Sequence, residues 1–140
     1  MNVVYHFQPT MPYSLHDMRV SRIEREGSNL RFRFEYGYVE LQGNNRQVDG
    51  DLLVEQVSPF FSDVYFLSEN GAYGKFGGEH MELEEFLERY GEGSLEILDE
   101  AYGCNTVSYR GYLSLPGKEN LIEVLLSIYY TGNLVYEVRE

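Results

Sequence analysis

The pair His16-Asp17 is the first place in this chain where residue types suggest chemistry, and His6 stands nearby in sequence. A histidine steered by a carboxylate is the working unit of general-base catalysis and of many metal sites. On a strand, adjacent side chains point to opposite faces, so these two are not expected to bond each other. The plainer role is a loop aspartate that satisfies backbone N–H groups beside a histidine packed at a sheet edge. His80 is the second candidate, four residues from Glu84 and flanked by Glu79 and Glu82. That supplies one metal-binding pair, but the HExxH spacing of a zinc site is absent and no second histidine follows. A solvated acidic helix start, favoured by the helix dipole, accounts for the same residues.

The single cysteine, Cys104, lies in a Gly103-Cys104-Asn105 turn. It would act as a nucleophile only if a histidine came near in space, and a lone cysteine of this kind is usually structural. Asp49-Gly50-Asp51 with Glu55 has the composition of a calcium loop without its ligand order, so a polar hairpin turn is expected there. Gly74, Gly77 and Gly78 lack the Lys-Ser or Lys-Thr that completes a phosphate cradle, and neither G-x-S-x-G, C-x-x-C nor a dinucleotide fingerprint occurs. No catalytic residue, metal or cofactor is assigned. Thirteen tyrosines and no tryptophan form the unusual feature of the composition. Tyrosine buries a ring and keeps a polar tip, which suits half-exposed sheets and recognition surfaces. A tyrosine-lined binding patch is expected near Tyr102, Tyr112 and Tyr129, with Tyr109 in the core.

These side chains must be positioned by sheet. The segment 94–138 has apolar runs cut by Gly103-Cys104-Asn105, Pro116-Gly117-Lys118 and Thr131-Gly132-Asn133, and predicts a four-stranded antiparallel meander. Upstream, strands are expected at 3–7, 18–26, 30–36, 38–41, 52–57 and 63–67. Leu30, Phe32, Phe34 and Tyr36 alternate with polar residues, whereas Val20 and Ile23 have opposite parity and require a bulge near Ser21. Glu69-Asn70-Gly71 closes the last of these strands. Leu83, Phe86, Leu87 and Tyr90 recur at helical spacing among glutamates, which predicts one amphipathic helix over about residues 80–90, with Gly91 as its C′ glycine and the meander as its platform. The expected fold is α+β: mainly antiparallel β, about nine strands, with one helix on the C-terminal four-stranded meander. A β-sandwich or partly closed barrel with the helix plugging one end is the alternative. The 140 residues fit a single domain, with sub-sheets 1–72 and 73–140 as a further option.

The formal net charge of −12 argues against nucleic acid and anionic lipid as partners. No apolar run reaches the length of a membrane span, and the opening residues MNVVYHFQPTMPY lack the pattern of a secretion signal. One cysteine favours a reducing compartment, so a cytoplasmic location is expected. The charge is uneven, with nine acids against Arg89 in residues 79–100, while Arg19, Arg22, Arg25, Arg31 and Arg33 gather on the early hairpin.

Leu15-His16-Asp17, followed by Val20, Ile23, Glu26-Gly27, Leu30, Phe32, Phe34 and Gly37-Tyr38, resembles the opening of small bacterial proteins grouped as domains of unknown function. The likeness covers about a fifth of the chain. It implies a bacterial origin and carries no site residue. From the residues themselves, the leading expectation is a non-enzymatic acidic protein-binding domain. It would engage a basic protein through Glu82, Glu85, Glu88 and Glu96 with Tyr102 and Tyr112, in the manner of an immunity protein against a toxin. The alternative is a small-molecule or hydrolytic site between sheet and helix that uses His16, Asp17 or His80. A third expectation is a homo-oligomer that pairs the arginine hairpin with the acidic helix of a second copy.

Overall fold

The computed structural model describes residues 1–69 and 79–139. The loop expected at 74–78 and the turn at 70–71 lie outside them. Twelve strands and one helix are present among the described residues, more strands than the nine expected. In chain order they are β1 (Asn2–Val4), β2 (Tyr13–Ser14), β3 (Arg19–Glu26), β4 (Asn29–Phe34), β5 (Tyr38–Glu40), β6 (Gln47–Val54), β7 (Asp63–Glu69) and β8 (His80–Glu82). There follow α1 (Leu83–Tyr90), β9 (Ser94–Tyr102), β10 (Thr106–Ser114), β11 (Leu121–Tyr129) and β12 (Leu134–Arg139).

All pairings are antiparallel, and one path runs β1-β12-β6-β4-β3-β9-β10-β11-β7-β8, with β5 also on β6 and β2 on β5. The sheet curls so that its inner faces meet. Phe32 of β4 and Tyr109 of β10 touch edge to face, and Tyr5 just after β1 reaches Tyr102 of β9. Leu15, Leu30, Phe32, Leu52, Ile97, Tyr109, Leu126 and Tyr136 are among the side chains fully enclosed by this curl. Enclosing each such aliphatic or phenyl side chain is worth about 1.5–3 kcal/mol.

The β3–β4 hairpin forms with Leu30, Phe32 and Phe34 buried as their alternation predicts, but β4 ends at Phe34 and Tyr36 is exposed; the bulge falls at Ser21, where the register slips between Val20 and Arg22. Gly27 turns it at φ +62°. The meander is three-stranded rather than four-stranded. β9, β10 and β11 pair in succession, but β12 leaves for β6 and β1. The cause is the 131–133 turn. Its backbone bonds go to Glu55 and Gln56, and Val57 bridges Tyr130, so the chain is steered across to β6 while β7 takes the free edge of β11.

Asp49, Gly50 and Asp51 lie inside β6 and not in the hairpin turn expected there. Asp51 is 3% exposed, and its Oδ2 lies 3.2 Å from Arg31, 3.4 Å from Arg33 and 3.2 Å from Arg139. Two neighbouring strands thus supply the charge that makes a buried aspartate tolerable in mid-strand.

The helix begins at Leu83, because residues 80–82 pair with Asp63, Val64 and Tyr65 as an edge strand. Gly91 stays right-handed (φ −62°, ψ −17°) and not in the left-handed C′ conformation. Phe86 and Tyr90 pack on Phe66 of β7, so the platform is the strand added to the meander. Only Arg19 and Val20 of β3 pair with β9. β9 begins at Ser94, so β3 from Arg22 onward has no β9 partner, and on that stretch Arg25 lies 3.7 Å from Glu84 of α1.

Candidate functional site

The acidic residues of β8, α1 and β9 are not equivalent. Each of the chain's nine arginines has a carboxylate within ion-pair distance, the loosest being Arg19–Glu35 at 3.9 Å. On the helix Glu84 is matched by Arg25, and Glu85 by Arg89 one turn on, at 3.6 Å. Glu79, Glu82, Glu88 and Glu92 are exposed and have no ion pair among the described residues. Glu82 also occupies the N-cap position without a capping hydrogen bond from its side chain. It faces Asp63 directly across the β7–β8 ladder. Like charges in that position repel, so this corner favours an incoming cation.

Glu96 and Tyr112 are cross-strand partners, both half-buried, on β9 and β10. Tyr102 does not join them. Its ring touches Tyr5 and Tyr109, and its hydroxyl donates to Glu100 at 2.6 Å, so it belongs to the interior. The Tyr109 and Tyr136 hydroxyls are buried near it without a well-formed hydrogen bond. Burial pushes all three phenols up, and it also raises the Glu100 carboxyl, against the opposing pull of Tyr102 and the Leu15 N–H.

His16 and Asp17 do touch, at 3.4 Å between Nε2 and Oδ2, contrary to the expectation from strand geometry. They form a turn and not a strand, and Asp17 is left-handed at φ +63°. His16 Nδ1 lies 2.6 Å from the Leu98 carbonyl, and an oxygen that can only accept fixes a hydrogen on that nitrogen. Both side chains are exposed. His80 stacks on Tyr65 at the open sheet edge, with ring centroids 5.6 Å apart. Among the described residues no three His, Cys, Asp or Glu side chains converge as metal ligands. Cys104 is exposed.

A cleft of about 770 Å³ opens between β3, the C-terminal end of α1 and the segment after β10. Arg22 and Arg25 of β3, Leu87 and Tyr90 of α1, and Leu115 and Lys118 after β10 line it. Glu24, Glu88 and Glu92 lie on the same walls, so its charge is mixed. No histidine, serine or cysteine lines it.

Phe60 and Phe61, not singled out by the sequence reading, are 78% and 71% exposed. Phe61 lies edge-on to Tyr129 at 6.0 Å, and Tyr65 and Leu67 continue the apolar surface along β7. The available signal was the doublet itself after Ser58-Pro59, since two adjacent phenylalanines between strands cannot both enter one core face. No helix among the described residues is long and apolar enough to cross a membrane. Comparison with protein-family models, curated proteins and solved structures finds no match to the chain.

Proposed function

We propose that the protein is a non-enzymatic binding protein whose acidic border, at Glu79, Glu82, Glu88 and Glu92, engages a basic protein partner. The observation that carries this reading is that every arginine is matched within the chain, while four exposed glutamates close together in sequence, Glu79, Glu82, Glu88 and Glu92, have no ion pair among the described residues. Such a field accelerates encounter with a cationic partner and repels nucleic acid and anionic lipid. The mode resembles that of small acidic immunity proteins against basic toxins. The arginine hairpin is a poor site for self-association, because Arg31 and Arg33 are held by Glu24, Glu26, Asp51 and Glu137 of the same chain.

The test is a pull-down with the tagged chain from lysate of its source at low and high salt, beside a variant carrying Glu79→Lys, Glu82→Lys, Glu88→Lys and Glu92→Lys. A specific basic protein held by the wild type at low salt, and lost both at high salt and from the variant, is the expected result. Retention by the folded variant, or no specific protein at either salt, overturns the reading.

The 770 Å³ cleft favours a second reading, a small-molecule site between sheet and helix. Thermal shift against a metabolite panel tests it. A compound that raises Tm for the wild type but not for Tyr90→Ala supports this reading.

A further inference from the structure

The doublet Phe60-Phe61 is held out to solvent by a rigid loop. Ser58 N–H donates to the Tyr129 carbonyl at 2.8 Å, and Val57 bridges Tyr130. On the other side Ser62 is fully buried. Its Oγ accepts from the Tyr129 N–H at 3.0 Å, and its carbonyl accepts from Leu83 N–H at the start of the helix. Val57, Ser58 and Ser62 are thus pinned to the end of β11, to Tyr130 and to α1, while the two rings between them touch little of their own protein. Single exposed apolar residues are ordinary, but a contiguous aromatic surface on fixed backbone is the physical form of an interface anchor. Little loop entropy is lost when such rings bind.

The charge beside the rings selects the occupant. Asp63, two residues on, stands opposite Glu82, so two carboxylates flank the apolar strip. A second copy would bring that pair against its own image, and an anionic bilayer would meet the same repulsion. We infer that Phe60 and Phe61 are the apolar anchor by which this protein seats a basic partner, entering an apolar pocket rimmed by Lys or Arg that neutralises Asp63 and Glu82. The inference rests on the proposal of a basic protein partner and adds where the affinity resides.

The test uses the full chain and three labelled synthetic peptides: lysines alternating with leucines, the same with serine for leucine, and the first with glutamate for lysine. Fluorescence anisotropy at low salt gives Kd. The lysine-leucine peptide is expected to bind about tenfold more tightly than the lysine-serine one, and the glutamate peptide not to bind. A variant with Phe60→Ser and Phe61→Ser, both exposed positions, is expected to lose that tenfold difference yet bind the lysine-serine peptide as before. Survival of the difference in this variant overturns the anchor and leaves the acidic reading standing. If neither lysine peptide binds the wild type, both fall. Sedimentation showing a dimer that the double variant abolishes, or wild-type binding to neutral phosphatidylcholine vesicles that the variant loses, assigns the rings to another occupant and overturns the inference.

Discussion

Two carboxylates in the interior show how one residue type takes opposite roles. Asp51 is buried among three guanidinium groups and works as a charge. Replacing it with Asn removes one charged acceptor from Arg31, Arg33 and Arg139, each of which keeps another carboxylate, with an expected loss of about 1.5–3 kcal/mol in urea denaturation. Glu100 is half-buried beside Tyr102, and desolvation raises its carboxyl above the ordinary range. The folded state therefore keeps a proton that the unfolded chain gives up. The stability this contributes is complete below the unfolded value of about 4.5 and declines as pH rises through the folded value. Glu100→Gln can accept from the Leu15 N–H through its oxygen and donate to the Tyr102 oxygen through its amide, and it removes the titration. Its Tm, relative to wild type, is expected to rise as pH goes from 4 toward 7; a constant difference across that range would contradict the assignment. Neither role was readable from residue type. Asp49-Gly50-Asp51 looks like a turn until Arg31, Arg33 and Arg139 are placed around it, and those come from positions distant in sequence.

At the scale of elements, local periodicity was informative and partner choice was not. The bulge at Ser21 followed from the parity of Val20 and Ile23, and the helical stripe of Leu83, Phe86, Leu87 and Tyr90 forms, though its first turn was taken by pairing with β7. The departure of β12 was illegible, because its apolar alternation suits any neighbour and the choice is made by backbone bonds to Glu55 and Gln56. In the candidate site, the helix glutamates were visible as charge. Their unequal pairing and the presentation of Phe60 and Phe61 depend on tertiary contacts. Two substitutions test the elements. Phe86→Ala removes the buried ring that holds the helix to Phe66 and is expected to cost about 3–5 kcal/mol in chemical denaturation. Gly111 sits at the β9–β10 bulge, where an added Cβ would meet the Glu96 carbonyl at 1.9 Å. Gly111→Ala is expected to lower Tm by several degrees through displacement of β9, whereas Gly117→Ala, with open space around it, is strained only by its φ of +74°.

Across the whole molecule, β12 lies between β1 and β6 and so completes the half of the sheet built from the first fifty or so residues. Removing residues from 134 onward takes away Tyr136 and Val138 from the core and the partner of two strands. The expected result is loss of a cooperative thermal transition by circular dichroism, not a modest drop in Tm. The Met1–Val138 contact joins positions 137 apart, and pairings of that span slow folding. On the ribosome, at about 5–20 residues per second, β1 emerges many seconds before the strand it will pair with. Through that interval β1 and β6 present unpaired edges in the cell. The order of synthesis thus gives this chain a period of exposure that its finished form conceals, and makes its yield sensitive to translation speed and to chaperones that shield strand edges.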